Sequence, residues 1–160
     1  MYYSEKSKLV PLVISGNYGG GFTSTAINMK DVHAATVVLT FGTVADGGLL
    51  YIESADQAAA GGNATNIIAT GRRTNADIGN AASDTLSHDV DVTSGQEYYT
   101  INDDPFSDKM VVFEIPATKM TDGRPWLRLR MTNDAANGVV CALAICNVRY
   151  NPENTIIKLT

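Results

Sequence analysis

Every apolar segment in this chain is short, and most are closed off by glycine, asparagine or aspartate. Gly19-Gly20-Gly21, Asp46-Gly47-Gly48, Gly61-Gly62-Asn63, Asp122-Gly123 and Asn137-Gly138 are turn formers, residues that tolerate positive φ or bond their own backbone locally. The segments between them are often rich in β-branched residues. They predict strands at Leu9–Ile14, Phe22–Asn28, Ala35–Thr43, Leu49–Ser54, Ala64–Thr70, Glu97–Ile101, Met110–Ile115, Trp126–Thr132 and Val139–Tyr150. No segment sustains a capped apolar repeat of 3.6 residues, so helix is expected only as short pieces, around Asp56–Ala60 or Pro116–Met120. Short strands with glycine turns and no crossover helices define the fold class: all-β, an antiparallel β-sandwich, jelly-roll-like.

Alternation assigns the faces. In WLRLRM, Leu127, Leu129 and Met131 share one side and Arg128 and Arg130 the other, so the strand reads as half buried with solvated arginines. On that reading Leu129→Ala costs about 2–5 kcal/mol and Arg128→Ala under about 0.5 kcal/mol. VVCALAICNV is apolar on both sides, with Val139, Cys141, Leu143 and Ile145 opposite Val140, Ala142, Ala144 and Cys146. Such a strand is expected to be central and covered twice, by the second sheet and by a neighbour or loop. The last two strands, with Asn137-Gly138 between them, read as a hairpin. Val37, Leu39 and Phe41 oppose Thr36, Val38 and Thr40 in another core strand. Residues 71–95 are polar and too long for an ordinary connection: either a long excursion covers a neighbour, or a strand hides in SHDVDVT, where Val90 and Val92 alternate with Asp89 and Asp91.

A chain of 160 residues builds one core, hence one domain. Its formal charge of -5 opposes a phosphate backbone, so nucleic acid is not an expected partner. Arg72-Arg73 is an isolated basic pair. The apolar patch Leu9–Ile14 is interrupted by Pro11 and is shorter than the ~7–15 residues of a secretory core, so synthesis in a cytoplasm is expected. Asn63-Ala64-Thr65 fits a glycosylation sequon but reads as a loop. The longest apolar run, VVCALAIC, is far below the ~18 residues that span a bilayer, and no membrane partner is expected. Cys141 and Cys146 lie at an odd offset on one strand, on opposite faces and roughly 16 Å apart, and cannot bond to each other. Both read as buried, reduced thiols.

No catalytic, cofactor-binding or metal-ligating set is expected. His33 and His88 are the histidines; His88-Asp89 with Asp91 has metal-ligand chemistry but reads as a solvated strand face. Asn102-Asp103-Asp104 with Asp108 lacks the spacing of a calcium loop and reads as a turn before Pro105. GNYGGGF lacks the Lys-Ser/Thr of a phosphate loop and reads as a turn between strands. Neither G-x-S-x-G nor H-E-x-x-H occurs, and neither cysteine has a histidine nearby in sequence.

Two blocks, Thr23–Asp56 and Asp122–Asn154, resemble the two ends of a family of small tailed-bacteriophage virion proteins. The resemblance rests on Ile27-Asn28-Met29-Lys30 leading into an apolar strand, Glu53-Ser54-Ala55-Asp56 after a glycine turn, Asp122-Gly123-Arg124-Pro125-Trp126, and Arg149-Tyr150-Asn151-Pro152. It covers about 65 residues and departs most between Gly61 and Pro105. It implies a structural protein of the capsid decoration or cement type, partnered by the major capsid protein and other copies of itself as a homo-oligomer on the capsid surface. The contact residues on this reading are Tyr2 and Tyr3 in an N-terminal arm of residues 1–8, Leu9 at the start of a 9–160 domain, and Arg72 and Arg73. The rival is a head-fibre or tail-associated module that binds a host glycan. It would expose Tyr98, Tyr99, Phe106 and Trp126 around a shallow groove, whereas a core location for these rings removes it.

Overall fold

The chain passes between two layers almost strand by strand, because each short strand buries one face and each polar turn lets it cross. The computed structural model describes residues 7–44, 48–80, 85–133 and 139–149. In order these form β1 (Ser7–Asn17), β2 (Phe22–Thr23), β3 (Ile27–Asn28), β4 (Val32–Phe41), β5 (Gly48–Ala55), β6 (Ala64–Asn66), β7 (Thr70–Thr74), β8 (Leu86–Val90), β9 (Tyr99–Ile101), the single-turn helix α1 (Asp103–Phe106), β10 (Met110–Pro116), β11 (Trp126–Asn133) and β12 (Val139–Val148). Short 3-10 turns occupy Met29–Asp31 and Ala117–Lys119, the second inside the expected helical piece Pro116–Met120. The first sheet has strand order β1-β12-β4-β10-β7-β8. The second runs β2-β11-β5-β6, with β3 also on β11 and β9 also on β5. The result is an all-β antiparallel sandwich with jelly-roll-like alternation of strands between sheets.

The core lies between the sheets. Val37, Leu39 and Phe41 of β4 and Leu127 and Leu129 of β11 are buried there, as the alternation predicts, together with Val111, Phe113 and Ile115 of β10. At Gly71 in β7 a Cβ would stand 2.4 Å from the Phe113 ring, so glycine lets that ring pack against the backbone. Gly21, at φ +80°, would place a Cβ 2.3 Å from the Met131 carbonyl oxygen, which explains glycine where β2 turns onto β11.

Three local expectations give way to long-range pairing, and one open alternative is decided. The last two strands are not a hairpin: β11 pairs along its length with β5 and on its other side with β2 and β3, while β12 lies in the opposite sheet between β1 and β4. Both edges of each strand are taken, so the Asn137-Gly138 signal has no edge to act on. Ala64–Thr70 is not one strand either; β6 belongs to the second sheet and β7 to the first. The crossing is fastened by Tyr99, whose buried hydroxyl donates to the Ala69 carbonyl (2.7 Å) and accepts from the Ala69 N–H (2.9 Å). Residues 71–95 do contain a further strand, β8, paired with β7 from Gly71↔Val90 to Thr74↔Leu86. Finally, β1 begins at Ser7 and pairs Ser7 with Asn147 and Lys8 with Cys146, so these two residues belong to the sandwich rather than to an arm.

Candidate docking face

A sandwich strand normally turns polar residues outward, yet an apolar row runs across the outward side of the first four strands of the first sheet. The cross-strand registers place Pro11, Leu143, Val38 and Val112 side by side in one row from β1 to β10, which then ends on Arg72 of β7 and Asp89 of β8. Leu9, Ile145, Thr36, Glu114 and Thr70 form the neighbouring row, and Cys141, Thr40 and Met110 a third. Leu9 and Val139 are 53% and 45% exposed; Leu143, Ile145, Val38 and Val112 are half-buried against one another. Glu114 is the one Asp, Glu, Lys or Arg in β4, β10 and β12. Two depressions of about 400 and 500 Å³ flank Thr70 and Glu114, reaching Leu86 on one side and Asn147 on the other. Large contiguous apolar patches are where folded domains commonly meet partners, which makes this row the candidate docking face.

The opposite outer face, on the second sheet, is built differently. Arg128 and Glu53 are 4% and 3% exposed and bonded Nε to Oε2 at 2.8 Å. Arg128 Nη1 also donates to the Ala59 carbonyl at 2.9 Å, which pins the loop after β5 over the sheet. Arg130 bonds the other Glu53 oxygen and lies over the Tyr51 ring, 3.8 Å from its centroid; Tyr51 in turn packs against Tyr98. This corrects the expectation of a solvated Arg128. The alternation placed it on the outward side correctly, but a long loop covers that side and supplies carbonyl partners. One face therefore carries the internally paired charges of Glu53, Arg128 and Arg130, and the other an apolar row bordered by Glu114 and the Arg72–Asp89 pair.

Of the contact residues expected from sequence, Leu9 and Arg72 stand on the apolar face, Arg72 in an exposed ion pair with Asp89 at 3.3 Å. Arg73 points to the other side of β7 and packs over the buried Phe106 ring, 5.8 Å from its centroid. Tyr2 and Tyr3 lie outside the described residues. Val38, Val112, Leu143 and Ile145 were missed as surface residues. For Leu143 and Ile145 the signal lies in the two-sided apolarity of β12; for Val38 it lies among Thr36 and Thr40 on the side of β4 opposite Val37, Leu39 and Phe41. Only the small-residue side, Val140, Ala142, Ala144 and Cys146, is buried in the core. Burial in that layer pushes the Cys146 thiol up to about 11, against a smaller lowering by Lys8, whereas Cys141 is half-buried on the outward side.

Among the described residues no group of three His, Cys, Asp or Glu could hold a metal ion, and no helix is long and apolar enough to cross a membrane. His88 Nδ1 meets the Ser87 hydroxyl at 2.9 Å, and Asp89 is engaged by Arg72. No family model, no curated protein and no solved structure matches the chain.

Proposed function

We propose that this chain is a non-enzymatic structural protein of a tailed-phage virion, a capsid decoration or cement protein that seats the outer side of its first sheet on the outer surface of the head. The observation that carries the reading is the contrast between the two outer faces: the paired charges and covering loop of the second sheet leave the neutral rows Pro11-Leu143-Val38-Val112 and Leu9-Ile145 as the surface to be covered. Six strands at ~4.8 Å spacing and three outward positions per strand give a face on the order of 500 Å². A standard interface takes about 800 Å² per partner. A face of this size needs a second contact, which Tyr2, Tyr3 and neighbouring copies of the chain would supply on a repetitive capsid lattice.

The glycan-binding alternative draws no support from the aromatic residues. Tyr99 and Phe106 are core residues, Tyr98 packs on Tyr51, and Trp126 sits opposite Ala55, four residues along β11 from the Arg130–Tyr51 pair. They share no groove. Quantitative mass spectrometry of purified virions tests the proposal through copy number. Hundreds of copies per particle are expected; six or twelve copies would move the protein to a vertex or tail, and absence from the particle would remove the reading altogether.

A further inference from the structure

At one end of the sandwich a cavity of about 340 Å³ opens among the Met29–Asp31 turn, the Ala117–Arg124 segment and the end of β12. Its rim carries Lys30, Arg124 and Arg149 against one carboxylate, Asp122, in a chain whose overall charge is negative. Its apolar lining comes from the half-buried Ala117, Met120 and Pro125, with Met29 buried beneath them in the core. The rim is held in place by the protein itself. Met29 N–H donates to the Pro125 carbonyl (2.8 Å), Arg149 N–H to the Asp31 carbonyl (2.9 Å), and Thr121 N–H to the Ser54 hydroxyl (2.9 Å), which donates in turn to the Arg124 carbonyl (2.6 Å).

The two guanidinium groups are only partly used. Among the described residues Arg149 Nε donates to the Val32 carbonyl and Arg124 Nη1 to the Thr65 hydroxyl, while a guanidinium carries five N–H donors in a fork matched to carboxylate. Asp31, beside Lys30 in sequence, is exposed and does not line the cavity. A cavity with a partly apolar lining beside three cationic side chains suits a ligand with both features. We propose that this cavity binds a carboxylate carried on a short aliphatic stem, either a free acid or the acidic side chain of a peptide, with the carboxylate at Lys30, Arg124 and Arg149 and the stem on Ala117 and Met120. The proposal does not rest on the docking reading.

Amide-resolved NMR of the full-length ¹⁵N-labelled protein tests it. Sodium hexanoate and N-acetyl-Glu-Leu-amide are titrated separately, with hexanol and hexylammonium as controls. At least one carboxylate probe is expected to give saturable shifts in the low-millimolar range, confined to residues 29–31, 117–124 and 149. Saturation by hexanoate alone assigns a free acid, and saturation by the peptide assigns a protein side chain. The double variant Lys30→Gln/Arg149→Gln, which keeps its spectrum elsewhere, is expected to weaken binding at least tenfold. No saturation with either probe, equal shifts with hexanol, or undiminished binding by the double variant would each overturn the proposal.

Discussion

Replacing Arg128 with alanine removes the Nε partner of Glu53 Oε2, the donor to the Ala59 carbonyl and a buried aliphatic stem in one step. Breaking a buried ion pair by deleting one member costs about 3–5 kcal/mol, because the remaining charge stays desolvated. Arg130 still bonds Glu53, so the carboxylate is not left alone, and a loss of about 2–4 kcal/mol is expected. That loss should match or approach the effect of Leu129→Ala, a fully buried inward residue on the same strand, at about 2–5 kcal/mol. Urea unfolding gives both values, provided the dependence on denaturant is unchanged. A double-mutant cycle with Glu53→Gln isolates the pair and should return a coupling of about 1–3 kcal/mol. A cost below about 0.5 kcal/mol for Arg128→Ala, the value for a solvated arginine, would refute both the burial and the covering loop.

The remaining predictions address other parts of the sandwich. Tyr99→Phe strips both polar partners from the Ala69 backbone at the crossing between sheets and should cost about 1–3 kcal/mol in urea unfolding, with the far-UV spectrum retained. Cys146, fully buried with its thiol pushed up to about 11, should resist alkylation at pH 8 under native conditions while the half-buried Cys141 reacts; equal labelling rates would contradict the assigned faces. Because the folded thiol holds its proton above the unfolded value near 9, its contribution to stability is complete below pH 9 and falls as pH rises towards 11. Burial raises the Tyr99 phenol as well, so alkaline unfolding should set in over the same direction of pH. Deleting residues 1–6 should leave the melting temperature unchanged and weaken capsid binding, whereas deleting 1–8 should also lower the melting temperature by a few degrees, because Ser7 and Lys8 pair with β12.

The sequence made one level of this structure legible and hid another. Period-two alternation identified the inward sides of β4 from Ala35 to Phe41 and of β11, because sandwich strands bury one face and side chains alternate along their regular stretches. Pairing partners were hidden because they depend on distant strands. Asn137-Gly138 is a strong local hairpin signal, yet β11 and β12 lie in different sheets with all edges occupied. Ala64–Thr70 carries no mark of a sheet crossing, because the crossing is stabilised by Tyr99, thirty residues from Ala69. The candidate face was half visible. The two apolar sides of β12 led to an expectation of cover on both; the small-residue side is buried in the core, while among the described residues Leu143 and Ile145 on the outward side stay half-buried and Val139 exposed. Arg128 was hidden for the converse reason: strand periodicity says which way a side chain points and nothing about a loop laid over it.

Co-sedimentation with undecorated tailed-phage capsids tests the proposed docking face most directly. Leu143→Lys and Val38→Glu place charges in the middle of the apolar row, where both wild-type side chains are only half-buried, and Thr132→Glu places one on the exposed outer side of the second sheet as a matched control. All three variants should fold with melting temperatures within a few degrees of wild type. Wild type and Thr132→Glu are expected to pellet with capsids, and Leu143→Lys and Val38→Glu to remain in the supernatant. Normal pelleting of the two first-sheet variants, or loss of binding confined to Thr132→Glu, would contradict the assignment of this face.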